Sequence, residues 1–224
     1  MSRKLLSLFL FLSMFFIAPL TAGAQTLTTT LAGGNSFNGN MFEIVARDDI
    51  TIDGFDVHIA TGTQTIEVYY RAGSYSGFEG SSAGWTLAGS ATVSGAGQGV
   101  ATSVPIDVNL DISSGSRYAF YVTNTSGTMY YTDGGTEGSV YAQNADLFFY
   151  EGIGKAYPFG STFRPRVWNG VIRYSKNSLP PTINPISSQS TNEDTPKTVS
   201  VGISDPDTAA ANLTVTATSS NASV

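Results

Sequence analysis

Apolar and polar residues alternate along most of this chain. Phe42, Ile44 and Ala46 alternate with Glu43 and Val45, and Ile66, Val68 and Tyr70 repeat the pattern. Val104, Ile106, Val108 and Leu110 alternate with Pro105, Asp107, Asn109 and Asp111, and Tyr118, Phe120 and Val122 form a further run. A period of two is the mark of half-buried strands, and no sustained 3.6-residue period appears. Ile50 and Ile52 set one phase, while Phe55, Val57 and Ile59 take the opposite one. The slip falls at Asp53-Gly54, where a β-bulge supplies the extra residue. The last two strands are expected at Ala145 to Tyr150 and Arg166 to Tyr174. Glycine-rich connections such as "AGSYSGFEGSSAG", "SGAGQG", "TDGGTEGS" and "EGIGKAYPFGS" separate these runs. The pattern predicts about eight to ten strands between Gln25 and Ser175. The fold class is all-β, a jelly-roll-like β-sandwich over 25–176, with an up-and-down barrel as the alternative.

After Lys176 the composition changes. "NSLPPTINPISSQS" carries three prolines and no aromatic residue, so 177–190 reads as an extended Pro/Ser-rich linker. Alternation resumes over Lys197 to Ile203 and again at Leu213, Val215 and Ala217. The stretch "TNEDTPKTVSVGISDPD", with the Pro-Pro linker before it, resembles the start of the cadherin-like and immunoglobulin-like repeats of large bacterial surface proteins. The resemblance implies that 191–224 is the first part of such a repeat, an incomplete second β-sandwich continued beyond Val224. In calcium-dependent members of that family, acidic residues at module junctions hold the metal. By resemblance Glu193, Asp205 and Asp207 match those positions, although the acidic "DxNDN" linker is absent. The competing reading is that these residues are turn formers, because Asp and Asn favour tight turns.

The N-terminus changes where the protein is expected to work. "MSRKLLSLFLFLSMFFIAPLTAGAQ" has a basic start, a short apolar run and the Ala22-Gly23-Ala24 pattern of a signal peptidase site. Residues 1–24 are therefore expected to be a signal peptide cut between Ala24 and Gln25, leaving no membrane span in the mature chain. Loss of Arg3 and Lys4 takes the formal net charge from −6 to −8. Such a balance argues against nucleic acid as a partner, since phosphate binders carry a basic face. There is no cysteine, which excludes disulfides, thiolate nucleophiles and cysteine-held zinc. Export without cysteine favours a bacterial, cell-surface or extracellular protein.

Three chemistries remain. Calcium, on the acidic loops just named, requires six to eight oxygen ligands. Glycan binding requires exposed rings beside polar side chains. The candidates are Trp85 in a Gly/Ser loop, Tyr130 and Tyr131 leading into Asp133, and Trp168 between Arg166 and Asn169. The rival reading of Trp168 is a core residue, since it lies on a predicted strand. Hydrolysis would have to use His58, the only histidine, or a pair among Glu43, Glu67, Glu79, Glu137, Asp146 and Glu151. The phase of Val57 and Ile59 turns His58 toward solvent, and no G-x-S-x-G elbow surrounds a serine. The expected function is surface binding or adhesion without catalysis, toward polysaccharide, surface glycans or another surface protein. An accessory module of a secreted hydrolase and a structural spacer are the alternatives. Asn124-Thr125-Ser126 also fits the N-glycosylation sequon.

Overall fold

A computed structural model describes residues 23–177, 180–192, 195–205 and 213–216. Fourteen strands lie in one compact unit, more than the alternation predicted. They are β1 (Gln25–Thr28), β2 (Asn35–Phe37), β3 (Gly39–Ala46), β4 (Ile50–Val57), β5 (Gly62–Ala72), β6 (Thr86–Gly95) and β7 (Thr102–Ser103). They continue as β8 (Leu110–Ile112), β9 (Arg117–Asn124), β10 (Met129–Asp133), β11 (Val140–Gln143), β12 (Leu147–Lys155), β13 (Thr162–Trp168) and β14 (Gly170–Lys176). No helix is present among the described residues.

The strands form two antiparallel sheets packed as a sandwich. The smaller runs β1-β14-β4-β7, with β8 also paired to β4. The larger runs β2-β10-β13-β12-β3-β9-β5-β6, with β11 paired to β12. Between them lies the core that the alternation marked. Phe42, Ile44 and Ala46 of β3, Ile66 and Val68 of β5, and Phe120 and Val122 of β9 face Ile50, Ile52, Phe55 and Val57 of β4. Phe55 meets Phe120 at 5.2 Å and Trp168 at 5.7 Å, so rings of both sheets interlock edge to face. Edge-to-face pairs add about 0.5–1.5 kcal/mol each beyond their buried area.

The phase slip on β4 is a bulge. Gly54 pairs with Arg173 and Ile52 with Tyr174, which leaves Asp53 as the extra residue. Both halves of β4 thereby keep their apolar side chains on the core.

Two expectations change. The run Val104 to Leu110 is not one strand: β7 ends at Ser103 and β8 starts at Leu110. Val104, Ile106 and Val108 are buried as the alternation required. The ladder is lost because Pro105 has no N–H, Ile106 turns its N–H back to Val104 O, and Asn109 sits at a φ of 45°. His58 is fully buried rather than solvent-facing. It lies past the end of β4, where its Nε2 accepts the Gly99 N–H at 2.6 Å and its ring packs on Tyr130. Asn124 is also fully buried and its Nδ2 donates to Gln64, which withholds it from glycosylation in the fold.

Outside this unit, β15 (Thr182–Ile183) and β16 (Ile203–Ser204) pair antiparallel, with Thr182 opposite Ser204. Of the strand expected over Lys197 to Ile203, only Ile203 is in a ladder. Residues 213–216 are in no strand.

Candidate functional site

The outer face of the larger sheet should be polar by alternation, and much of it is not. On β5 the phase opposite Ile66 and Val68 carries Glu67, Tyr69 and Arg71. Beside it on β9 the same phase carries Ala119 and Tyr121, and β3 and β12 add Met41 and Ile153. These side chains form a second, smaller core, covered by residues 73–85 between β5 and β6 and by residues 156–161 between β12 and β13. Tyr69 stacks on Tyr121 at 5.7 Å, and Phe159 closes edge-on over both, at 5.4 and 4.9 Å. Trp85 stands half-buried beside them, 6.4 Å from Tyr121 and 6.3 Å from Phe159.

Between the two loops runs an open groove of about 480 Å³, lined by Tyr69, Ser81, Ser82, Pro158 and Phe159 with Gly80 and Gly160. The volume lies in the range of small-molecule clefts, about 300–1,000 Å³. Tyr157, more than one-third exposed, precedes Pro158 on the same wall.

Charged side chains fix both walls. The Glu43 carboxylate, buried on β3, accepts from Ser74 Oγ, the Tyr75 N–H and Arg117, and so seats the start of the first loop. Arg164 on β13 pairs with Glu79 of that loop at 2.7 Å and with Glu137, which also accepts the Tyr75 hydroxyl at 2.9 Å. Burial and the Glu137 hydrogen bond push the Tyr75 phenol above its ordinary range. Arg71 lies flat over the Phe78 ring at 3.3 Å and donates to Ser74 O. In the second loop the Lys155 ammonium, 1% exposed, donates to Gly160 O at 2.5 Å and Thr162 Oγ1 at 2.9 Å. Desolvation holds its pKa below the usual lysine range. Phe159 has a φ of 136°, a region that costs a non-glycine residue about 1–3 kcal/mol. The loop holds that strain at the residue whose ring floors the groove.

Of the aromatic residues singled out in the sequence, Trp85 packs against the second core beside this groove without being part of its lining. The other four aromatic or acidic candidates gather on β10 and β13, where Tyr131 is opposite Trp168 and Asp133 opposite Arg166. Their rings are occupied. Trp168 is fully buried between Phe42, at 4.8 Å, and Phe55, which corrects its candidacy to a core role. Tyr131 is buried with Arg166 over its ring, and Tyr130 is packed on His58. Asp133 is exposed and accepts from Asn35 Nδ2 at 2.8 Å and Arg166 Nε at 3.2 Å.

Glu193 and Asp207 lie outside the described residues, and Asp205 follows β16. Among the described residues no three metal-ligating side chains converge. The carboxylates considered for hydrolysis mostly have structural partners. Glu151 accepts the Gly135 and Thr136 N–H groups, and Asp146 accepts from Tyr174 and Lys176. His58 Nε2 is engaged by Gly99 and is not open to a serine.

Sequence reasoning missed Tyr69, Tyr121, Tyr157 and Phe159, and named Glu67 only among the carboxylates considered for hydrolysis. The available signal was Tyr69, an aromatic residue in the polar phase of β5 between Glu67 and Arg71. No family model matches this chain, and no curated protein matches it.

Proposed function

We propose that this chain is an exported surface protein that holds a glycan in the groove over the larger sheet. The single observation behind this reading is the groove itself: the Tyr69 and Phe159 rings line it together with Ser81 and Ser82, and Trp85 packs beside Phe159. Sugar rings present apolar C–H faces that stack on aromatic side chains, while their hydroxyls need partners of the serine and carboxylate kind. The ion pairs of Glu43 and Arg164 and the hydrogen bonds of the Lys155 ammonium hold both walls before a ligand arrives, which lowers the ordering cost of binding. The C-terminal segment, with its resemblance to cadherin-like repeats, fits a chain that displays this module at a surface. Any calcium would act there, in stiffening the junction, and not in the groove.

A pull-down of the purified chain on insoluble polysaccharides and a glycan array tests the reading. Retention is expected; Phe159→Ala, which removes a lining ring, is expected to weaken it by about 0.5–1.5 kcal/mol, and Trp85→Ala, which removes the ring packed beside Phe159, by less. Retention unchanged in both variants, with the fold intact, removes the groove as the site. No retention on any glycan removes the glycan reading.

A further inference from the structure

The cations around the groove are engaged. Arg164 is shared by Glu79 and Glu137, Arg117 is held by Glu43, Arg71 is laid over Phe78, and the Lys155 ammonium is turned into the second loop. Of the acids beside the groove, Glu67 is the one without a cation: among the described residues no lysine or arginine pairs with it, and its carboxylate is met by phenols, the Tyr69 hydroxyl at 2.8 Å and that of Tyr157. Tyr69 itself lines the groove, so this uncompensated negative charge stands at the groove's margin. Tyr157 flanks it from the second loop: burial and the Glu67 carboxylate raise that phenol above its usual range. A carboxylate at this margin repels an anion and attracts a cation, and the Tyr69 and Phe159 rings on the groove's lining add the pull of their quadrupoles on the same charge.

We propose that the groove selects glycans bearing free, protonated amines, with Glu67 receiving the ammonium of a 2-amino sugar while the aromatic floor takes the pyranose face. This rests on the reading of the groove as a glycan site and names the class of sugar within it. Uronic acid and sulfated polymers are disfavoured at the same position, because no free cation is available to meet them and Glu67 opposes them.

Isothermal titration of the full chain at mildly acidic pH decides it, with glucosamine, N-acetylglucosamine and galacturonate oligomers of matched length. The glucosamine oligomer is expected to bind about tenfold more tightly than its acetylated counterpart, the scale of one charge-assisted hydrogen bond over a neutral one. Galacturonate should bind weakest. Glu67→Gln should bring the ratio of the first two close to one, and Tyr69→Phe, which keeps the ring, should preserve the preference. Equal or tighter binding of the acetylated or uronate oligomer overturns the selectivity and leaves the glycan reading standing. A preference that survives Glu67→Gln, at unchanged melting temperature, also overturns it. Failure of all three oligomers to bind sinks the glycan reading itself.

Discussion

The two tryptophans should separate stability from binding. Trp168 is fully buried, with ring contacts to Phe42 at 4.8 Å, Phe55 at 5.7 Å and Phe149 at 6.3 Å. Truncation to alanine removes those contacts and opens a cavity between the sheets, a loss of about 3–5 kcal/mol. In a unit of this size each kcal/mol moves the melting temperature by about 2–4 °C, so Trp168→Ala should melt roughly 10 °C lower. Total stabilities are about 5–15 kcal/mol, so a large part of the fold's margin goes with this ring. Its Nε1 has no hydrogen-bond partner among the described residues, so Trp168→Phe forfeits none of them and should cost less than half as much. Trp85 is half-buried and donates one hydrogen bond to Phe78 O at 2.9 Å. Its removal gives up about half of a large side chain's burial and one hydrogen bond, or about 2 kcal/mol. Urea unfolding followed by fluorescence suits the comparison, since these are the chain's two tryptophans. In Trp85→Phe the remaining emission should be blue-shifted and poorly quenched by acrylamide. If Trp168→Ala melts within about 3 °C of the parent, or Trp85→Ala is the more damaging change, the assignment of one ring to the core and the other to a place beside the groove is wrong.

Two further outcomes are expected. Arg164→Gln breaks two partly exposed ion pairs, each worth about 0.2–1 kcal/mol, so stability should fall only slightly while groove affinity falls several-fold as the first loop loosens; unchanged affinity would mean that Glu43 and the Arg71–Phe78 contact suffice. His58 has its pKa depressed by burial, so the unfolded chain binds a proton that the folded chain resists. Stability should therefore hold above the unfolded value near 6.5 and decline as pH falls from there toward the folded pKa; a His58→Gln variant that keeps the same slope over that window would refute the assignment.

Periodicity carried the inner layer of this fold and little else. The phase slip at Asp53-Gly54 announced a bulge because only an inserted residue lets Ile52 and Phe55 face the same core. The same logic placed Phe42, Phe120 and Val122 inside. It misplaced His58, because alternation tells which side of β4 a residue takes and not that a later turn, around Gly99, returns to cover that side. The outer core was missed for the same reason. Tyr69 and Tyr121 sit in the phase assigned to solvent, and alternation within a strand does not show that the loop after β5 and the one after β12 fold back over that face. β6 was overlooked because "TLAGSATVSG" is small and weakly apolar on both faces; its pairing with β5 creates the strand. Trp85 could be nominated because glycines and serines around it offered no core of their own. Trp168 could not be distinguished, since a strand tryptophan serves core and surface with the same local pattern.

The joining of β1 to β14 bears on how the sandwich carries load. Gln25 lies opposite Tyr174 and Thr28 opposite Val171, so the chain enters and leaves the sheet at the same end. With cleavage before Gln25, tension from the C-terminal segment enters at Lys176 of β14 and none passes along β1. β14 is paired on both sides, to β1 and to β4, so two ladders resist its withdrawal instead of one. Held in series between a surface and a bound polymer, the module would be gripped by a doubly paired strand, with the first residues of the mature chain serving as a clasp on the last.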